Sequence, residues 1–515
     1  MPKWRLYFPF WHILEFYFCT LAVFIYVCSK IPLYINMRLN LLCAVTLGAY
    51  ILLPSQINAQ TVPADTLTLS LDKCIAIALT ESPTIKVADM EVTRVDYSKK
   101  ETLGQLLPTI NFGATYNLTI AKQTMYMSMD GFGGGMGGGT DTDSDSETAS
   151  RASGNSGGKT GIKVGLDNSY SAGFSASMPL IAPHLWKTLK LNDSQILLNV
   201  ENARTSRLAL VNQVKSAYYA LLLAYDSRDV LQESYDNAKF NADVYEKQFS
   251  VGAASEYDVL RSQVAVKNIE PELLQADIAI KQARLQLLIL MGLDASMPLK
   301  PDTKLADYER DMYANTLSID RSLDGNSDLR QLDIHTRQLN DALTIQKMAW
   351  FPTLALSFNY NWTSMSNGNA LKNFTWTPYS VVGLTLNIPL FEGGQRYSRI
   401  KQARIQVDEM KWQRQNLERS INMQVELAID NIEKNVKQVA SSAESVSQAD
   451  KAYEIMEKSF KIGAASYLNL RDSQLALTQA RLAYYQSIYN YLIANSELEL
   501  LLGNADLNKY KQIAE

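Results

Sequence analysis

The chain has 515 residues, and its 49 Lys and Arg against 53 Asp and Glu leave a net charge of −4. That balance offers no basic excess to neutralise phosphates, so nucleic acid is not an expected partner. Three of the four cysteines, Cys19, Cys28 and Cys43, lie near the N-terminus. The remaining Cys74 has no partner with which to form an internal disulfide framework.

Residues 1–59 read as an N-terminal extension and signal peptide. From Met37 the chain carries one Arg, then an apolar run from Leu39 to Leu53, then Ile57-Asn58-Ala59 before Gln60. This suits a secretory signal cleaved after Ala59. Residues 1–36 are apolar and aromatic but include His12 and Glu15, which fits either an overextended start or a membrane anchor, outside the fold in both cases. Cys43 lacks the small residues that precede a lipidated cysteine, so no lipoprotein is expected.

Residues 60–293 form a first structural unit: a helix, two strands joined by a long loop over 121–161, and a long helical hairpin. The first strand alternates strictly, with Ile110, Phe112, Ala114, Tyr116, Leu118 and Ile120 between Thr, Asn and Gly. The second, Lys163 to Met178, alternates almost as well. From His184 to Val251 there are 68 residues without Gly or Pro, enough for a helix of roughly 100 Å. Charges such as Arg204, Lys215, Asp226 and Lys239 are spread along it, so it is a solvated rod. The hairpin tip falls at 249–255, where Gly252 can end the helix in the left-handed conformation and Ser255 with Asp258 reads as a capping box. The return arm runs from Ser255 to Met291 with an expected interruption at Pro271.

A mixed segment, 294–325, connects to a second unit over 326–503, and 504–515 is a tail. The second unit has a helix, strands around Leu354–Trp362 and Gly383–Leu390 joined by a short turn from Ser364 to Phe374, and a rod from Gln395 to Ile462. Its tip lies at 460–466, with Ser466 and Asn469 as a weaker capping pair, and an uninterrupted return arm runs to Leu502.

The two units are an internal two-fold repeat. "FSVGAASEYDVLRSQVAV" from Phe249 and "FKIGAASYLNLRDSQLAL" from Phe460 share eight identities without a gap at an offset of 211 residues. At the same offset Val214, Tyr218, Leu221 and Tyr225 meet Val425, Ile429, Ile432 and Val436, and Gly292 meets Gly503. The steps of four and three mark a coiled-coil seam.

Four strands of about ten residues with one apolar and one Thr, Ser, Asn and Gly face suit transmembrane β-barrel staves, and Tyr116, Trp362, Trp376 and Tyr379 near strand ends suit interfacial anchors. A soluble sheet with one buried face gives the same alternation. In lipid, four strands cannot close and an open edge is not tolerated, so several chains must complete one barrel. Two chains give eight strands and three give twelve, and the larger leaves room for water.

These features resemble the TolC-like outer membrane factors along nearly all of the mature chain. The resemblance rests on "LSLDKCIAIALTESPTI" from Leu69, Pro108 and Pro352 where helix gives way to strand, "PLFEGG" from Pro389 to Gly394, and the F-x-x-G-x-x-S tip in both halves. It implies a mixed α and β membrane protein in which a homotrimer forms a 12-stranded barrel in outer-membrane lipid, continuous with a periplasmic α-helical coiled-coil barrel. It also implies a periplasmic adaptor and an inner-membrane transporter of the RND or ABC class as partners, and efflux or secretion as function. One corner departs from the pattern, since "PLIAPHLW" stands where the second half has "PLFEGG". By the same resemblance Asp258, Asn469 and Asp472 match acidic positions of the periplasmic aperture, with Asn469 in place of an aspartate and Ala465 where an arginine can latch the closed state. Val251, Gly252, Ala253, Ile462, Gly463 and Ala464 form the tips on which the adaptor would dock. Asp258 can serve as a helix cap, as a pore carboxylate, or as both.

Other patterns carry less. "GNSGGKT" at 154–160 lacks the first P-loop glycine, since Ser153 stands there, and "DTDSDSE" at 141–147 lacks the glycine and the glutamate of a calcium loop. His184 and His335 are far apart and build no metal centre. No nucleophile and base pattern emerges, so neither enzyme nor cofactor is expected. The alternative to a channel is a periplasmic coiled-coil scaffold without a pore.

Overall fold

A computed structural model describes residues 67–127, 160–310, 312, 321–367, 375–505 and 507–514. The signal segment, the cysteines before Cys74, the calcium-loop look-alike and nearly all of the P-loop look-alike lie outside the described residues.

The elements follow the chain in the order the periodicities demand. After a short β1 (Leu67–Leu69) come α1 (Leu71–Glu81) and α2 (Pro83–Gly104), then β2 (Thr109–Leu118), β3 (Gln123–Met127), β4 (Thr160–Val164) and β5 (Asn168–Ile181). The first rod α3 (Pro183–Ser250) and its return α4 (Glu256–Met291) lead to β6 (Leu299–Pro301). The second half repeats this plan with α5 (Ser327–Met348), β7 (Thr353–Ser366), β8 (Thr377–Asn387), α6 (Gln395–Lys461) and α7 (Tyr467–Leu502), and α8 (Leu507–Ala514) follows.

The main sheet is antiparallel in the order β2-β5-β7-β8. Its register sets Phe112 beside Phe174 and Tyr116 beside Tyr170, then Phe174 beside Tyr360 and Phe358 beside Val382. Because side chains alternate across a sheet, all of these fall on one face. Their rings form a ladder, Phe112 to Phe174 at 5.0 Å, Phe174 to Trp362 at 6.1 Å and Trp362 to Tyr360 at 4.7 Å. The other face is polar and bonded across strands: Thr109 to Ser177, Thr115 to Ser171, Asn361 to Tyr379 and Thr363 to Thr377. The outermost strands β2 and β8 bond a neighbour on one side only.

The rods pair as hairpins, α3 with α4 and α6 with α7, and α3 also packs on α5 and α7. Val214, Tyr218 and Leu221 are fully buried, and Val425, Ile429 and Ile432, 211 residues on, are also buried. Each such side chain contributes about 1.5–3 kcal/mol. This core is thickest around the belt formed by α1, β1 and β6. There the Tyr218 hydroxyl donates to Asp302 at 3.1 Å, and Asp226 accepts from the Leu305 amide at 3.0 Å. Cys74 is free and buried in the same belt. Burial, helped by the charge of Asp302, pushes its thiol up to about 12, so it stays protonated and inert.

Several expectations need correction. Pro271 does not interrupt the return arm, and α4 runs unbroken past it. The fourth residue before it, Lys267, lies on the exposed side, where water can satisfy the carbonyl that proline leaves without a donor. The loop 121–161 is not loop throughout, because β3 and β4 pair antiparallel from Gln123–Val164 to Met127–Thr160. The stretch from Lys163 to Met178 is therefore two strands, broken between Val164 and Asn168, where Gly165 takes φ +108°. β7 continues to Ser366, past the expected turn start at Ser364.

The connector 294–325 is more than linker: β6 pairs in parallel with β1, Leu67 opposite Leu299, and a 3-10 turn follows at Leu305–Tyr308. The tail is helical as well, and it is held to α1 by Lys509 and Asp72 at 3.1 Å. Finally, Glu309, Arg310 and Met312, ahead of α5, are also helical.

Candidate functional site

The hairpin tips are built twice from the same bonds. In the first, Val251 closes α3, Gly252 takes φ +78°, and the Gly252 and Ala253 amides donate to Phe249 at 2.9 Å and Gln248 at 2.7 Å. In the second, Ile462 closes α6, Gly463 takes φ +77°, and the Gly463 and Ala464 amides donate to Phe460 at 3.0 Å and Ser459 at 2.8 Å. This is the glycine stop expected when orphan carbonyls must be satisfied in one residue of reversal. A Cβ added at either glycine would meet nothing within 4 Å. The tips are therefore open, and Val251 and Ile462 project from them 77% and 80% exposed.

The returning helices start with the expected caps. The Ser255 side chain accepts from the Asp258 amide at 3.2 Å, and Asp258 Oδ2 accepts in return from the Ser255 amide at 3.4 Å and its hydroxyl at 2.6 Å. At the second tip Ser466 accepts from the Asn469 amide at 3.4 Å. Asp258 is thus engaged as a cap and only partly exposed, whereas Asn469 and Asp472 stand exposed.

One group was missed by sequence reasoning: Tyr245 and Tyr467. Tyr245 meets Tyr467 edge to face at 5.1 Å and Phe460 at 6.3 Å, and the Arg261 guanidinium lies 6.0 Å over Tyr467. The cluster fastens the second tip to the end of the first rod. Burial above all, with the charge of Asp258 next, raises the Tyr245 hydroxyl above its usual range. The available signal was an asymmetry, since the repeat sets Met456 against Tyr245 and Glu256 against Tyr467. The six docking candidates and Asp258, Asn469 and Asp472 all come together at this one end of the hairpins.

A two-faced sheet, rods of 68 and 67 residues and duplicated tips form a single design. The profile described as "Outer membrane efflux protein" matches residues 74–293 and 318–504. The chain belongs to that family. Its location is accordingly the outer membrane. Outer membrane protein TolC of Vibrio cholerae is 22% identical over 335 residues, 65% of this chain and 76% of that protein. The cobalt-zinc-cadmium resistance protein CzcC of Cupriavidus metallidurans is 23% identical over 310 residues, 56% of this chain and 67% of that protein. The fold matches the CmeC outer membrane channel of Campylobacter jejuni with a TM-score of 0.62 at 17% identity, covering 86% of this chain and 88% of that one. CusC matches with a TM-score of 0.63 at 17% identity, covering 85% and 93%.

Proposed function

We propose that this family member is the outer-membrane channel of a tripartite efflux or secretion system. In this reading three copies pool their sheets into a 12-stranded barrel over a periplasmic helical tunnel. The observation that carries it is the main sheet. Ile110, Phe112, Val382, Leu384 and Leu386 are each about 60–70% exposed on one face while the opposite face is bonded Thr, Ser and Asn. Such a sheet is stable with lipid on one side and water on the other. Its two outer strands supply the edges that a neighbouring copy would pair with.

The tips then face an adaptor, with Gly252, Ala253, Gly463 and Ala464 allowing close backbone approach. Asp258 and Asp472 contribute negative charge at the periplasmic aperture. Cargo is selected by the inner-membrane pump: the names of relatives range from cobalt-zinc-cadmium resistance to alkaline protease secretion and antibiotic efflux.

Native mass measurement in detergent tests the reading together with conductance in planar bilayers. A conducting trimer is expected. A protein that stays soluble without detergent and conducts nothing would instead be a scaffold.

A further inference from the structure

The belt that joins the two halves holds a cavity of about 1040 Å³ between α3, α4 and the segment from Lys300 to Asp307. Concavities of that size accept small molecules. Five carboxylates line it, Asp226, Asp229, Asp277, Asp302 and Asp307, against three cations, Arg228, Lys300 and Lys304. Leu222, Tyr225, Ile280 and Pro301 supply an apolar wall.

Most of the acids are already engaged. Arg228 donates to Asp277 at 3.1 Å and lies 3.9 Å from Asp229. Asp302 accepts from the Tyr218 hydroxyl at 3.1 Å, and Asp307 Oδ2 accepts from the Lys304 amide at 2.9 Å. Asp226 differs. It is only 5% exposed. Its Oδ2 accepts from the Leu305 amide at 3.0 Å, whereas its Oδ1 accepts from none of the described residues, and no described lysine or arginine forms an ion pair with it. Burial is the main reason its carboxyl is raised, and Asp229 and Asp307 repel its charge while Lys304 attracts it. A carboxylate withdrawn from water on these terms is costly unless a cation reaches it.

The hairpin plan does not require this arrangement. Carried through the repeat of 211 residues, Asp226, Asp229 and Asp277 become Lys437, Ala440 and Ile488, and Arg228 becomes Val439. Val439 and Ile488 are fully buried in the apolar core. The second hairpin therefore sets hydrocarbon where the first sets Arg228 and Asp277, and apolar replacement of a charged pair is commonly neutral or stabilising. An occupant of the cavity accounts for charge kept in one half alone.

The spacing of the acids decides its kind. Among the described residues no three carboxylate, thiol or imidazole groups lie close enough to hold one metal ion. A cation whose charges are spread along a chain can meet acids spread around a cavity, while its methylenes lie on the apolar wall. We propose that the cavity binds a linear aliphatic polyamine, with one ammonium group donating to Asp226 Oδ1 and a second held by Asp229 and Asp307. The methylenes between them rest on Tyr225, Ile280 and Pro301. The site is built within one chain, so it stands independently of the oligomer proposed above.

The test titrates spermidine into the full chain in detergent at neutral pH and about 0.15 M salt, where long-range attraction between exposed charges is screened, and reads binding by calorimetry. One site per chain is expected. Asp226→Asn keeps an oxygen for the Leu305 amide and should weaken binding roughly tenfold or more, the effect of one lost charge-assisted hydrogen bond, with helical circular dichroism unchanged. Lys304→Ala removes a competing cation and should tighten binding by roughly threefold, a gain that misfolding cannot imitate. Magnesium at equal concentration should not displace the polyamine. No binding to the parent would overturn the proposal. Equal affinity in the parent, Asp226→Asn and Lys304→Ala would also overturn it, since spermidine would then lie elsewhere on the protein. Displacement by equal magnesium would overturn the choice of a polyamine.

Discussion

The Tyr467 ring, in the first turn of the second return helix, meets Tyr245 of the first rod edge to face at a centroid separation of 5.1 Å. The two residues are 222 positions apart in the chain, and their contact joins the halves at the end that carries the proposed docking residues. Tyr467→Ala should destabilise this joint by roughly 3 kcal/mol, from lost burial plus the ring pair. Hydrogen exchange should speed up around 456–474 while the sheet amides keep their protection. Uniform loss of protection would mean that the ring pair holds the whole fold and not the tip alone.

Bulk at the tip glycines separates docking from folding. Gly252→Trp and Gly463→Trp place a side chain where φ is positive, at a strain of roughly 1–2 kcal/mol, but into open space. The variants should insert and assemble normally while adaptor crosslinking and export are lost. Export at the normal level with both substitutions present would remove the docking role.

The charge proposed for the aperture is read electrically. Replacing Asp258 and Asp472 by Ala should weaken the cation preference of single channels, since rings of carboxylates select cations. Asp258→Ala should also cost about 1 kcal/mol as a lost cap partner, whereas Asp472→Ala, exposed and outside the cap, should leave stability unchanged. Unaltered selectivity in the double variant would reduce Asp258 to a helix cap.

Shortening the glycine-rich segment should be tolerated. Deleting Gly133–Gly157 leaves 128–132 and 158–159 to join Met127 and Thr160, which already face each other across the β3–β4 ladder, and that connection is longer than the roughly 2–5 residues a hairpin needs. Trimer yield and thermal midpoint should match the parent. Loss of the trimer would show that the segment is needed for assembly.

Asp226 is a test of buried charge. Burial raises its carboxyl, the Leu305 amide bond and Lys304 oppose the rise, and Asp229 and Asp307 add to it. A carboxyl raised on folding binds its proton more tightly in the native state, so its contribution to stability declines as pH rises from the unfolded value of about 4 through the raised native one. Asp226→Asn keeps an oxygen for the Leu305 amide and cannot ionise. Its thermal midpoint at pH 7 should equal or exceed the parent's, and the difference should vanish toward pH 4. A lower midpoint at pH 7 would show that the charge itself is needed.

Whatever is written in local periodicity was legible without a structure. Alternation at Ile110–Leu118 and Leu354–Trp362 set the strands, the 68 residues lacking Gly and Pro set the first rod, and Gly252 and Gly463 set the reversals. In each case the determinant is a backbone or burial preference acting within a few residues. Contacts between distant segments were decided only by tertiary structure. The β1–β6 pair has three residues per strand and too little pattern to be seen, and it exists because the belt core buries Leu69 and Leu299 together. Lys163–Met178 alternates almost throughout, yet pairing with two different partners splits it at Gly165. Pro271 looked like a break because propensity speaks only of the isolated helix, whereas 36 residues packed on a second rod hold the turn around it. Tyr245 and Tyr467 fall on unlike residues in the repeat, so comparing the halves could not pair them, and the superposition of the two hairpins in space did.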